Sequence, residues 1–191
     1  MNKLVITTKR LMIRNLELKD LNAFHLYRSN PEITRYQGFD VMSIEECRNF
    51  IEQQKDRHFG VPGEWLQYGI ENLETGAMVG DCAIRLEQGY LETAEIGITI
   101  SHLYQRQGFA KEVLSGIMKY LFEVRNIHRI VETVDVDNKS SIYLMEAVGF
   151  RKEGHFIENI FFKGSWGSEF QYAMLKREWE QIQNTCAQSN H

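Results

Sequence analysis

The sequence predicts an α+β domain built on one mixed β-sheet. Three observations support this: strand and helix patterns follow each other along the chain, three consecutive strands are joined by short turns, and a strand–helix–strand unit spans residues 92–136. Short turns pair neighbouring strands antiparallel, whereas a crossover through a helix requires parallel strands. The sheet must therefore contain both kinds of pairing.

The first half of the chain contains two helices and a three-stranded meander. Its predicted elements are a strand over 10–16, helices over 20–29 and 43–58, and strands over 65–73, 77–86 and 92–100. Leu21, Phe24 and Leu26 are expected to face inward from the first helix. Ser43 and Glu46 form a capping-box pattern that begins the second helix. Glycine-containing turns separate the three strands, which favours hairpins.

The second half contains the crossover and a closing pair of strands. Its predicted elements are a helix over 110–122, a strand over 129–136, a helix over 139–148, and strands over 150–162 and 170–175. Gly97 interrupts a good strand, which indicates a bulge or a close approach of another backbone, and we favour the bulge. The polar tail after Trp179 is expected to fray.

Composition narrows the class of protein. A length of 191 residues with 43% hydrophobic content predicts a single domain over 1–191, and a net charge of −4 does not favour nucleic-acid binding. Cys47, Cys82 and Cys186 form no disulfide pattern, which favours a reducing compartment. The start of the chain has no signal-peptide core and no run spans a membrane, so we expect a soluble cytoplasmic protein. The histidine spacing predicts no metal site.

The stretch LYQRQGFAKEVL, residues 103–114, places Arg106 and Gly108 where a helix begins. A helix N-terminus offers free N–H groups and partial positive charge to an anion. Gly108 lets a phosphate approach the backbone, Ala110 keeps that approach open, and Arg106 adds a charged donor. An ordinary helix start after a glycine turn explains the pattern equally well, because one glycine in so short a stretch is weak evidence. Neither GxxxxGK[ST] nor GxGxxG is present, so a P-loop nucleotide site is not supported.

The same stretch resembles a known family. Gln105-x-x-Gly108-x-Ala110 matches the Q/R-x-x-G-x-G/A signature of the GCN5-related N-acetyltransferase (GNAT) superfamily. Other motifs resemble its branch that acetylates ribosomal-protein N-termini: Thr8-Lys9-Arg10-Leu11, Ala94-Glu95-Ile96-Gly97, Asn138-x-x-Ser141, Gly149-Phe150 and Gly164-x-Trp166. The resemblance covers residues 7–179 with the motifs in the family's order.

The resemblance implies a fold and a cofactor. The GNAT fold is a mostly antiparallel sheet with a central splayed parallel pair flanked by helices, and acetyl-CoA binds with its pantetheine arm in the splay. The cofactor-binding positions that it implies are Ile98, Thr99, Ile100, Gln105, Arg106, Gln107, Gly108, Phe109, Ala110, Asn138 and Ser141. Family members are often dimers, so a homodimer is an expectation as well.

The resemblance also suggests two catalytic residues, Glu95 and Ser141. Glu95 is a candidate base that acts directly or through water, or alternatively a surface ion-pair partner. Many relatives place a tyrosine acid where this chain has Met145, so Ser141 is expected to act as acid or as a donor that positions the thiol. Asn138 and Ser141 also suit a helix cap.

The sequence gives less information about the acceptor than about the cofactor. The resemblance implies the α-amine of a ribosomal protein or peptide, with a small amine (a polyamine, amino acid or antibiotic) or a non-catalytic acyl-CoA sensor as alternatives. Ile157 and Ser168 depart from the ribosomal branch, which often has arginine and aspartate there. Aromatic residues that line either a cleft or the core are Tyr36, Trp65, Tyr68, Phe161 and Trp166.

Overall fold

The computed structural model describes residues 4–90 and 92–188, except for the side chains of Cys186 and Ala187. The strands are β1 Ile6–Thr7, β2 Leu11–Asn15, β3 Leu66–Asn72, β4 Met78–Leu86, β5 Thr93–Ile100, β6 Arg129–Asp135, β7 Arg151–Phe162 and β8 Ser165–Leu175. The helices are α1 Leu21–Arg28, α2 Pro31–Thr34, α3 Ile44–Gln54, α4 Phe109–Lys119, α5 Lys139–Ala147 and α6 Lys176–Gln188. The expectations for residues 1–3 and for the Cys186 thiol lie outside the described part of the chain.

The strands form one mixed sheet in the order β1-β2-β3-β4-β5-β6-β8-β7. Neighbouring strands are antiparallel except β5 and β6, which the α4 crossover joins in parallel. The predicted α+β class and mixed sheet are therefore confirmed. Among residues 4–90 and 92–188, no helix is long and apolar enough to cross a membrane.

The parallel pair separates after a short contact. The register of β5 and β6 consists of Thr93↔Arg129, Ala94↔Ile130 and Glu95↔Val131. Beyond that point β5 stays paired with β4 as far as Ile100, and β6 stays paired with β8 as far as Asp135. A gap therefore opens between the two strands toward the end of β5 that leads into α4.

The prediction of a bulge at Gly97 is wrong. Gly97 pairs with Ala83 in an unbroken β4–β5 register, and the break in register lies instead between Ile70 and Glu71 on the other edge of β4. A Cβ added at Gly97 would meet no atom within 4 Å. The glycine keeps space open beside the gap and does not distort the strand.

The polar tail and one face of α1 also differ from expectation. Residues 176–188 form α6, because Trp179 is buried against Phe122 and Ile182 packs on the core beside Gly149. In α1, Leu26 is 46% exposed, whereas Tyr27 and Arg28 are buried. The polar contacts of Tyr27 and Arg28 explain why α1 turns these two side chains, and not Leu26, toward the sheet.

Asp81 of β4 is the buried centre that connects α1 to the sheet. It accepts a hydrogen bond of 3.1 Å from the Tyr27 hydroxyl and is ion-paired with Arg28, and Gln67 of β3 also donates to it. The Arg28 guanidinium lies 3.6 Å from the centroid of Phe39, in the segment after α2. This network fixes α1 and the α2–α3 connection over the sheet face opposite α4.

Asp81→Ala should destabilise the protein strongly, because it leaves the Arg28 charge buried without its partner. The expected loss in the free energy of unfolding by urea is about 3–5 kcal/mol. Glu45→Ala is the control, since Glu45 pairs with Arg48 on the surface and should leave stability unchanged within error. A loss at Asp81 no larger than that of the control would contradict the role of this network.

Candidate active site

The segment between β5 and α4 presents a helix N-terminus to solvent. A 3₁₀ turn, His102–Tyr104, leads into Gln105–Gly108, and these four residues are exposed. Gly108 has φ of 79° and Arg106 has φ of 61°, so two left-handed residues turn the chain into α4. The first amides of α4 have no partner within the helix, which is the arrangement that an anion requires.

The N-terminal segment supports this loop. Arg10 donates from Nη1 to the Gln107 carbonyl at 3.1 Å, and its guanidinium lies 4.6 Å from the centroid of Phe109. Glu112 of α4 accepts hydrogen bonds of 2.7 Å from both the Thr8 hydroxyl and Arg10 Nε. Although partial burial acts to raise it, these bonds lower the pKa of Glu112 below its ordinary value. The sequence motif at residues 8–11 thus has a structural role in holding the loop.

The predicted cofactor positions have different surroundings. Phe109 is 5% exposed and packs in the core, so only its backbone is available to a ligand. Gln105 donates to the Ile100 carbonyl at 3.1 Å and closes the loop onto β5. Ile98 and Ile100 pack partly on the core, whereas Thr99 faces the gap from the other side of β5. Ala110 is half-buried behind Gly108.

The start of α5 lies beyond β6 in the chain. The Asn138 side chain accepts a hydrogen bond of 3.2 Å from the Ser141 amide, so the capping role predicted for Asn138 is confirmed. Ser141 is half-buried, and Met145, on the same helix face, is buried in the core. Tyr143, by contrast, is 75% exposed.

A cleft of about 990 Å³ opens on the gap from the α1 side. Carboxylates outnumber cationic groups along its walls: the acidic residues are Asp40, Glu46, Glu95, Glu132, Asp135 and Glu169, and the basic ones are Arg28, Arg35 and Lys163. Arg28 is already paired with Asp81. The cleft is therefore suited to a cationic ligand.

Aromatic side chains line only part of this cleft. Of the predicted residues, Tyr36 and Trp65 line it, and Phe39 is an addition that sequence patterns did not suggest. Tyr68 is 1% exposed and belongs to the core. Phe161 and Trp166 fit neither the cleft nor the core position: these two rings contact each other on the β7–β8 hairpin, with centroids 5.5 Å apart and 62% exposure each.

Glu95 lies where β5 and β6 separate. It is ion-paired with Arg85, its register partner on β4, and the Arg85 guanidinium lies 4.8 Å from the centroid of Trp65. The Glu95 side chain retains 18% of its exposure and lines the cleft. The ion pair that was the alternative for Glu95 is therefore present, and the side chain also faces the gap, where its role as a base stays a prediction.

Glu132 of β6 is a second carboxyl group at the gap that the sequence did not single out. It is half-buried, and its Oε2 has no hydrogen-bond partner among the described residues. Burial and the charge of Glu95 raise the pKa of Glu132 well above its ordinary value. The only signal in the sequence is a charged residue inside the strand pattern IVETV, which by itself also fits an exposed strand face. In the part of the chain that the structure describes, no group of three or more His, Cys, Asp and Glu is arranged to hold a metal ion.

Comparison with known proteins agrees with this geometry. Residues 10–151 match the family model described as an acetyltransferase (GNAT) domain. The chain is 32% identical to the uncharacterized N-acetyltransferase YnaD of Bacillus subtilis (strain 168), over 91% of this chain and 98% of that protein. It is 30% identical, with a TM-score of 0.82, to an acetyltransferase (GNAT family) from Bacillus anthracis, over 91% of this chain and 99% of that one.

A further solved structure contains ligands. The spermidine N-acetyltransferase from Vibrio cholerae in complex with CoA and spermine is 25% identical, with a TM-score of 0.75, over 89% of this chain and 98% of that one. The resemblance to the superfamily is therefore confirmed. The branch that acts on ribosomal proteins is not singled out by these relatives.

Arg106→Ala tests the anion site at the start of α4. It should weaken coenzyme A binding about 10-fold, the loss expected for one charge-assisted hydrogen bond of about 1.5 kcal/mol. Pantetheine, which lacks the diphosphate, should bind both proteins equally, as measured by isothermal titration calorimetry. Lys119→Ala, at the other end of α4, is the matched control. Equal weakening of both ligands by Arg106→Ala would rule out a phosphate contact.

Proposed function

The chain belongs to the GNAT acetyltransferase family and is an acetyl-CoA-dependent N-acetyltransferase, and we propose that its acceptor is a small polycationic amine of the polyamine type. The acetyl group passes by direct attack of the amine on the thioester in a ternary complex. The observation that carries the choice of acceptor is the acidity of the cleft. Apart from Glu132 and the ion-paired Glu95, its lining carboxylates, Asp40, Glu46, Asp135 and Glu169, still outnumber its cations outside the Arg28–Asp81 pair, Arg35 and Lys163. The spermine-bound Vibrio cholerae enzyme supports the same choice.

The proposed cofactor position follows from two features, the free amides at the start of α4 and the gap between β5 and β6. The diphosphate binds the amides at the start of α4 between Gln105 and Ala110, with Arg106 as a charged donor. The pantetheine arm enters the gap and pairs with the backbone of Ile98–Ile100, which has no partner on the β6 side in the described register. Asn138 and Ser141 bind from the start of α5, with Ser141 positioning the thiol.

The acceptor reaches the thioester through the acidic cleft. An alkylamine has a pKa of about 10.4 in water, so the enzyme has to take a proton from it at neutral pH. Glu95, held by Arg85 at the edge of the gap, accepts that proton directly or through a water molecule. Asp135 and Glu169, on the far wall, hold a second ammonium group of the same acceptor.

The α-amine of a protein or peptide is the second candidate acceptor. The β7–β8 hairpin exposes apolar side chains beside the cleft, including Ile157 at 73% exposure and Trp166 at 62%, and such a surface suits a polypeptide. An α-amine, with a pKa of about 7.7–8.0, also needs less help in losing its proton.

An acceptor panel separates the two candidates. Thiol release from acetyl-CoA is measured with a triamine, a monoamine of the same chain length and peptides with free N-termini. The triamine should exceed the monoamine in kcat/KM by at least 10-fold, and its KM should rise with salt because screening weakens the attraction to the carboxylates. Preference for a peptide would favour the second candidate, and CoA binding without thiol release from any acceptor would overturn both.

Glu95→Gln tests the base. The variant should lower kcat by about 100-fold or more, which is typical of lost general-base catalysis, and should leave the affinity for coenzyme A unchanged. Glu123→Gln, on the exposed surface after α4, is the matched control and should retain full activity. If Glu95→Gln instead abolishes coenzyme A binding, Glu95 is a structural residue.

A further inference from the structure

Glu132 lies at the gap between β5 and β6 and has no role in the reaction proposed above. It is the first residue of β6 beyond the last β5–β6 pair, Glu95↔Val131, so its backbone lies at the apex of the gap. Its side chain lines the gap, and its Oε2 is buried without a hydrogen-bond partner among the described residues. A buried polar atom without a partner is unfavourable unless a ligand satisfies it.

Glu132 and Glu95 approach the gap from opposite faces of the sheet. Side chains alternate along a strand, so Glu132 shares its face with Ile130 and Val134, which are buried in the core cluster that contains α4 and α5. Its register partner on β8, Tyr172, lies in the same cluster and donates a hydrogen bond to Glu146 of α5. Glu95 alternates with Ala94 and Ile96 of that cluster and therefore faces away from it.

Neither of the α5 side chains that the family motif places near the sulfur is an acid at neutral pH. Met145 is buried where many relatives have a tyrosine, and a thioether carries no proton. Ser141 can donate a hydrogen bond, but a serine hydroxyl does not release its proton at neutral pH. Tyr172 of β8, the register partner of Glu132, donates its hydroxyl proton to Glu146.

We propose that Glu132 is the general acid that protonates the sulfur of coenzyme A as it leaves. The inference rests on the proposed function and adds a catalytic residue to it. The amine nitrogen attacks the thioester carbonyl carbon, a C–N bond forms, and the C–S bond breaks with its electron pair going to sulfur. Glu95 has by then released to solvent the proton that it took from the bound ammonium, so the nucleophile is the neutral amine. The Glu132 carboxyl gives its proton to the sulfur, while the second proton of the nitrogen, lost as the amide forms, goes to Glu95. Transfer of one proton from Glu95 to Glu132 through solvent restores both groups.

The surroundings favour the protonated form of Glu132. Burial, and next the negative charge of Glu95, raise its pKa well above that of an exposed glutamate. The other titratable or charged groups that face the gap or its cleft are Arg35, Asp40, Glu46 and Arg85, Asp135 on β6, Lys152 on β7, Glu169 and Tyr172 on β8, Lys163 in the β7–β8 turn, and Glu146 on α5. Among the cations, Arg85 is paired with Glu95, Lys163 donates to the Thr34 carbonyl, and the Lys152 ammonium lies 3.4 Å from the centroid of Phe170.

Glu132→Gln removes the acid and keeps the size of the side chain. With acetyl-CoA and the best acceptor of the panel, kcat should fall on the order of 100-fold, the lower end for general acid–base catalysis, because a thiol with a pKa of about 8.5 is already a fair leaving group. In the wild type, kcat should decline as pH rises through the pKa of Glu132, because the acid is lost. The variant should lack that alkaline decline, while its affinity for coenzyme A stays unchanged. Glu132→Asp, which retains a carboxyl group, should restore part of kcat and the alkaline decline.

Four outcomes would overturn the inference. A Glu132→Gln variant with wild-type kcat, or one that retains the alkaline decline, would exclude the acid while leaving the acetyltransferase function intact. Loss of kcat together with loss of coenzyme A binding in both variants would assign Glu132 a structural role. A wild-type protein that releases no thiol with any amine would overturn the proposed function and the acid with it. Glu123→Gln again serves as the carboxylate-to-amide control at an exposed site.

Discussion

The separation of β5 from β6 after three residue pairs is the constraint on which the rest of the structure depends. Strands that part inside a sheet leave backbone groups without partners, and such groups are costly unless a ligand or water satisfies them. The separation is possible because each strand keeps its outer neighbour: β5 remains paired with β4 to Ile100, and β6 with β8 to Asp135. The sheet thus stays intact on both sides of an opening that passes through it.

The opening connects two environments of different character. On one side are the turn at Gly108, which leads into the free amides at the start of α4, and the Asn138 cap of α5. On the other side is an acidic cleft, whose wall is fixed by the buried pair of Arg28 and Asp81. A cofactor and an amine can therefore reach the same point from opposite faces, with Glu95 on the acceptor side.

Local patterns in the sequence predicted most of the fold. The capping box at Ser43, the helical spacing after Gly108 and the crossover each depend on residues close together in the chain, and the structure contains all three. The features that were predicted wrongly depend on contacts between residues that are far apart in the chain. Residues 176–188 form a helix because Trp179 and Ile182 pack in the core. No pattern within that tail indicates that these two side chains are buried there.

In the candidate site, too, the residues predicted correctly belong to local motifs, and those that were missed depend on the tertiary fold. Motif resemblance pointed to the turn at 105–110 and to Glu95, whereas Glu132 was missed because its importance arises from burial beside Glu95 and from the point at which two strands part. The acidity of the cleft likewise arises from residues on α3, β5, β6, β8 and a loop that the fold brings together. Strand register across the sheet, which single-sequence patterns do not determine, sets both features.

A crystal structure with coenzyme A bound would show directly whether the gap between β5 and β6 holds the cofactor. We expect a diphosphate within hydrogen-bond distance of the amides between Gln105 and Ala110. We also expect a pantetheine arm paired with the backbone of Ile98–Ile100 inside the gap, with its sulfur at the apex. A cofactor bound elsewhere, or β5 and β6 closed into a continuous ladder beyond Glu95 and Val131, would contradict this expectation.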